Sequence, residues 1–126
     1  MQKQKVLLIE DDEMLLDMYN LKFLESGFDV FKASNGLDGY ELAIKNKPDI
    51  ILLDIILPQM DGFSVMEKLK KNEVTKNISV FFLTNLKQEE DVERGKKLGA
   101  SGYLVKATLT PTQILEKVKQ FLKIKK

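Results

Sequence analysis

Ile50-Ile51-Leu52-Leu53-Asp54 stands near the middle of the chain: four consecutive branched apolar residues without alternation, closed by a carboxylate. An unbroken apolar run of strand length reads as a strand buried on both faces, the habit of a parallel sheet covered by helices on either side. Outward from it, four more runs resemble it: Val6-Leu7-Leu8-Ile9, Asp29-Val30-Phe31, Val80-Phe81-Phe82-Leu83 and Tyr103-Leu104-Val105. The segments between and after them carry helical spacing. Their apolar positions are Leu15, Met18, Leu21 and Leu24; Leu37, Tyr40, Ala43 and Ile44; Phe63, Met66 and Leu69; Val92 and Leu98; and Ile114, Leu115, Val118, Phe121 and Leu122. Gly27 and Gly99 follow helical segments as C-terminal caps do, and Thr110-Pro111 sets a capping hydroxyl before a proline at the first helical position. Five repeats of strand then helix imply an α/β fold, a doubly wound parallel sheet of five strands with five helices.

Residues 1–126 are expected to form one domain, because that length suits a single core and no linker or low-complexity tract interrupts it. A hydrophobic fraction of 44% beside 31% charged residues is enough for a core and excludes a disordered chain. The formal net charge of +1 gives no overall field for nucleic acid or an anionic membrane, so neither is an expected partner. The charge is unevenly divided: residues 1–63 carry 6 Lys/Arg and 12 Asp/Glu, residues 64–126 carry 14 and 7. The lysines from Lys117 onward read as a solvated helix face. Histidine and cysteine are both absent, which removes Ser-His-Asp and Cys-His triads, thiolate chemistry, disulfides and ordinary zinc sites. No apolar run approaches the roughly 20 residues that span a bilayer, and polar Met1 to Lys5 resembles no export signal. The cytoplasm is the expected compartment.

In doubly wound sheets, ligands sit at the carboxyl ends of the strands, beside the point where strand order reverses. The first strand ends in Glu10-Asp11-Asp12, the third in Asp54, the fourth in Thr84, and the fifth is followed by Lys106. All therefore converge on one rim. Crowded carboxylates repel one another and take up protons unless a cation neutralises them. With only oxygen ligands to offer, that cation is a hard one, Mg²⁺ or Mn²⁺. A carboxylate beside such a metal is a competent nucleophile toward phosphorus, and Lys106 and the Thr84 hydroxyl add further neutralisation across the transferred group. An ionised Asp has no proton to lose, so no general base is required. Plainer roles fit some of these residues singly: Glu10-Asp11-Asp12 as caps of the first helix, Thr84 as a β-former, Lys106 as a surface lysine. Asp54 resists that treatment, since burying it at the end of the most apolar segment is costly unless it is paired.

Glu10-Asp11, Leu52-Leu53-Asp54, Pro58-Gln59-Met60-Asp61-Gly62, Thr84, Tyr103 and Lys106 together resemble the receiver domain of bacterial two-component response regulators. The resemblance covers nearly the whole chain, and its spacing is specific: that family places the Thr about 30 and the Lys about 52 residues after the acceptor, as here. It implies the flavodoxin-like strand order 2-1-3-4-5, with Asp54 as phospho-acceptor, Asp11 as a direct Mg²⁺ ligand, Glu10 as a ligand through water, and the backbone carbonyl of Ile56 completing the protein contacts to the metal. Lys106 resembles the residue that pairs with the phosphoryl group, and Thr84 with Tyr103 resembles the switch pair. The implied partners are a sensor histidine kinase or phosphotransfer protein as donor, and a downstream protein at the surface of the fourth helix, fifth strand and fifth helix. The implied role is a switch that catalyses only its own phosphorylation and dephosphorylation.

Two departures stand out. Asn85 follows Thr84 where the family commonly has Ala or Ser, and Ala107 follows Lys106 where it commonly has a proline after a cis bond. A cis Lys106-Ala107 bond costs about 3 to 4 kcal/mol, so a trans peptide with a rerouted loop is expected. Ile56 and Leu86, each two residues beyond a site residue, are apolar, which suggests slow self-hydrolysis. A haloacid-dehalogenase-like phosphatase needs a second Asp where Ile56 stands, and a flavodoxin-like nucleotide binder needs a Gly, Ser and Thr loop where Glu10-Asp11-Asp12-Glu13 stands. The remaining alternative is a receiver-like protein-interaction module that is never phosphorylated.

Overall fold

Alternate residues of each strand point to opposite sides of the sheet, and that period of two divides the core into two layers. In the computed structural model, which describes residues 3–125, the element order is β1 (Lys5–Ile9), α1 (Glu13–Glu25), β2 (Asp29–Ala33), α2 (Gly36–Asn46), β3 (Ile50–Leu53), α3 (Gly62–Lys71), β4 (Ser79–Thr84), α4 (Glu89–Lys97), β5 (Gly102–Val105), a 3₁₀ turn (Lys106–Thr108) and α5 (Pro111–Lys125). The strands are parallel and ordered β2-β1-β3-β4-β5, as expected. Val6, Leu8, Ile50, Leu52, Phe81 and Leu83 pack under α1 and α5. Leu7, Ile9, Ile51, Leu53, Val80 and Phe82 pack against α2 and α3 on the other face. β3 and β4 are buried along their whole length, which is why they read as continuous apolar runs.

Differences from the sequence expectation are local. β2 continues through Lys32 and Ala33, and a 3₁₀ turn forms where only a rerouted loop was expected. No described peptide bond is cis, so Lys106-Ala107 is trans, as expected. The inner face of α1 is built on Leu16, Tyr19 and Phe23, with Leu15 partly buried beside them, whereas Met18, Leu21 and Leu24, expected on that face, are exposed. Helix α1 is apolar on several sides, so spacing alone admits two stripes, and the one carrying two aromatic rings buries more surface. Gly27 and Gly99 have φ of 91° and 98°, the left-handed conformation that ends a helix, as their positions suggested.

The register lines up the site. Ile9 pairs with Leu53 and Leu53 with Phe82, while Thr84 pairs with Val105. Glu10 and Asp54 therefore end their strands at one level, with Thr84 one residue further along and Lys106 one beyond that, all at the same edge of the sheet. The chain leaves β1 for β2 on one side and returns as β3 on the other, so strand order reverses between β1 and β3, and the carboxylates sit at that crevice.

Candidate functional site

The ladder continues one residue past β1 and β3: Glu10 N–H donates to the Ala33 carbonyl at 3.0 Å and Asp54 N–H to the Ile9 carbonyl at 3.1 Å. Both side chains are thereby fixed by sheet geometry although they are nearly buried, at 4% and 5% exposure. Lys106 Nζ lies between them, 2.5 Å from Glu10 Oε1 and 2.7 Å from Asp54 Oδ2. The other oxygens are held by backbone. Asp54 Oδ1 accepts from the N–H of Ile55 at 2.7 Å and of Ile56 at 3.3 Å, and Glu10 Oε2 accepts from the Asp12 N–H at 3.0 Å. Among the described residues no buried side-chain polar atom lacks a partner.

The three N-terminal acids divide their roles. Asp12 is the N-cap of α1, its Oδ1 accepting from the Leu15 N–H at 3.1 Å, so the capping role is real for this residue. Asp11 is exposed and has no hydrogen bond or ion pair among the described residues. One oxygen each of Glu10, Asp11 and Asp54 lies within 4.8 Å of the others. Three carboxylates beside one ammonium leave two formal negative charges, which is the deficit one divalent cation balances. That donor set is all oxygen and fits a hard ion. Burial raises the Glu10 pKa above the usual carboxylate value, against the opposing hydrogen bond from Lys106. Burial works to lower the Lys106 pKa, but hydrogen bonds to Asp54 and Glu10 outweigh it and hold the ammonium more firmly charged than an ordinary lysine.

The segment after β3 explains its own sequence. A Cβ at Gly62 would lie 2.2 Å from the Asp54 carbonyl oxygen, so only glycine lets α3 begin this close to the acidic rim. Asp61 caps α3 through its Oδ1 to the Ser64 N–H at 2.9 Å.

Thr84 is fully buried at the end of β4, and its Oγ1 accepts from the Leu86 N–H at 3.3 Å. Tyr103, half-buried on β5 beside Phe82, donates its hydroxyl to the Leu86 carbonyl at 2.5 Å. One residue, Leu86, thus touches both through its backbone. The sequence did not single out that backbone bridge, since a main-chain contact leaves no residue signature. It likewise gave no sign that the Asn85 side chain would meet Ala107. The structure brings Glu10, Asp11, Asp54 and Lys106 together as anticipated and sets the Ile56 peptide beside Asp54.

The family model for the response regulator receiver domain matches residues 6–119, and the chain belongs to that family. Sporulation initiation phosphotransferase F of Bacillus subtilis is 30% identical over 125 residues, covering 99% of this chain and 98% of that protein. The DNA-binding dual master transcriptional regulator RpaA of Synechocystis is 39% identical over 102 residues, 81% of this chain and 42% of that protein. The chain thus spans about half the length of RpaA and of several other curated relatives it matches. The solved receiver domain of Francisella response regulator 1452 superimposes with a TM-score of 0.88 at 30% identity, covering 98% of this chain and all of the other. Receiver domains serve two-component systems as switches that interact with histidine kinases or phosphotransfer proteins. Among the described residues no helix is long and apolar enough to cross a membrane.

Proposed function

We propose that Asp54 is the phospho-acceptor of this receiver domain and takes its phosphoryl group from a phosphohistidine on a sensor histidine kinase or phosphotransfer protein. An Asp54 carboxylate oxygen attacks phosphorus, the P–N bond to the donor imidazole breaks, and the imidazole nitrogen takes a proton as it leaves. The observation that carries this reading is the Lys106 ammonium held against Asp54 Oδ2 by a second buried carboxylate, which sets a fixed cation where the oxygens of an incoming phosphoryl group would gather. The Thr84 hydroxyl, at the end of the neighbouring strand but one residue further along, is a donor for the same oxygens. Mg²⁺, or Mn²⁺ in its place, would be held by Glu10, Asp11, Asp54 and the Ile56 carbonyl and would supply charge neutralisation to the transferring group.

Transmission then runs through Leu86. Drawing the Thr84 hydroxyl toward a phosphoryl group weakens its bond from the Leu86 N–H, and the adjoining carbonyl is the acceptor of Tyr103. Helix α4 is lightly held: its single buried residue is Gly95, which packs on Phe82 and Tyr103. The surface of α4, β5 and α5 is therefore the reading for the downstream partner, with no direct nucleic-acid contact, no chemistry beyond the domain's own phosphorylation and dephosphorylation, and a cytoplasmic setting.

Incubation with acetyl phosphate and Mg²⁺, read by intact mass, tests this. One phosphoryl adduct is expected, lost in Asp54→Asn and in Asp11→Ala, and Asp11→Ala should fold with unchanged or slightly greater stability because a repulsion is removed. An adduct that persists in Asp54→Asn refutes the acceptor assignment. No adduct from acetyl phosphate or from a phosphorylated kinase favours the inert interaction module.

A further inference from the structure

The loop after β4 and the 3₁₀ turn after β5 are joined by one hydrogen bond, from the Ala107 N–H to Asn85 Oδ1 at 2.8 Å. A backbone N–H is met only by the oxygen end of the amide, so this partner fixes the orientation of the Asn85 side chain. The rest of the turn is bonded to itself, through the Leu109 N–H to the Lys106 carbonyl at 3.3 Å and Thr108 Oγ1 to the Val105 carbonyl at 3.0 Å. Among the described residues, Asn85 is thus the tie from another element to the main chain of this turn. Its own backbone is anchored, because it directly follows the fully buried Thr84 of β4. Proline at 107 has no N–H and could not be held in this way, whereas alanine lacks the ring that would restrict the chain by itself. The two positions therefore work as a pair.

We propose that Asn85 is a positioning residue for Lys106. Its side-chain oxygen fixes, through the Ala107 N–H, the peptide from which a flexible four-carbon stem carries the ammonium between Glu10 and Asp54. This rests on the reading of Lys106 as the cation that faces the phosphoryl group. Asn85 itself is exposed and acts from outside the carboxylate cluster.

The test is a double-mutant cycle on the rate at which acetyl phosphate and Mg²⁺ phosphorylate Asp54, with Asn85→Ala, Lys106→Ala and the double variant, followed by intact mass. Asn85→Ala should slow the reaction by about 2- to 10-fold, the range that loss of one net hydrogen bond gives. In the Lys106→Ala background the same substitution should change the rate by less than about 2-fold, since the residue it acts through is gone. Amide exchange at Ala107 should be slow in the parent protein, fast in Asn85→Ala, and slow again in Asn85→Asp, which keeps an acceptor oxygen. No slowing in Asn85→Ala, equal slowing in both backgrounds, or an Ala107 amide indifferent to Asn85 overturns the proposal. A parent protein that takes no phosphoryl group refutes the phospho-acceptor reading instead. Ala107 exchange and the Lys106 methylene signals, which should shift in Asn85→Ala, then still decide whether Asn85 positions that lysine.

Discussion

Lys106 Nζ and Asp54 Oδ2 lie 2.7 Å apart across 52 residues of sequence, and the lysine side chain that makes this contact is only 10% exposed. Removing the ammonium leaves two nearly buried carboxylates facing each other, although each keeps one oxygen on backbone N–H groups. Because those amides remain, Lys106→Ala should cost about 1 to 3 kcal/mol in chelator at neutral pH, the range for an uncompensated buried polar group. Without the ammonium that occupies Glu10 Oε1 and Asp54 Oδ2, the variant's carboxylates should bind Mg²⁺ more tightly than the parent's, so by mass action the deficit should shrink as Mg²⁺ is added. Urea melts with chelator and with Mg²⁺ check this; a deficit independent of Mg²⁺ would mean that the ammonium and the ion do not compete for these carboxylates.

The central strands were the most legible because burial on both faces leaves little choice of residue: Ile50-Ile51-Leu52-Leu53 can be little else. The rim was legible for a geometric reason, since parallel strands share one direction and carry their terminal polar residues to the same edge of the sheet. Helix α1 was not, because Met14, Leu15, Met18, Leu21 and Leu24 surround Leu16, Tyr19 and Phe23 and the spacing admits both stripes. The Leu86 bridge and the Asn85 tie were hidden for another reason. Both involve main-chain groups, which every residue type supplies alike, so neither the 3₁₀ turn at Lys106–Thr108 nor its anchoring follows from side-chain identity.

The α1 assignment has a direct consequence for stability. Phe23 is fully buried and meets Phe28 edge-on, with ring centroids 5.2 Å apart. Phe23→Ala should destabilise by about 3 to 5 kcal/mol, whereas Leu21→Ala and Leu24→Ala should stay within about 0.5 kcal/mol of the parent. Chemical denaturation of the three variants measures this, and a large loss in Leu21→Ala would assign the inner face to the other stripe.

Tyr103 should titrate late. Burial first, then the negative charges of Asp91 and Asp54, push its phenol up to about 12, against about 10 for the unfolded chain. The folded state therefore favours the protonated phenol, which its bond to the Leu86 carbonyl also requires. That contribution to stability is present in full below about pH 10 and is lost as pH rises through about 12. Subtracting the phenolate absorbance of Tyr103→Phe from that of the parent isolates this residue, and a difference curve with its midpoint near 10 would show that the hydroxyl is freely solvated.

Ile56 is 59% exposed beside Asp54, and Leu86 is half-buried between Thr84 and Tyr103. A phosphoryl group on Asp54 is lost when water attacks phosphorus in line, and neither side chain offers an oxygen or nitrogen to orient that water. The phosphorylated domain should therefore be long-lived. Ile56→Asn combined with Leu86→Glu should shorten its half-life, followed by intact mass after the phosphodonor is removed. The fold and the Thr84 and Tyr103 contacts should survive the change, because both residues bond to the backbone of Leu86 and not to its side chain. The two single variants apportion the effect between the positions. A half-life that is unchanged or longer in the double variant, with stability intact, would show that access of ordered water does not set the lifetime of the phosphorylated state.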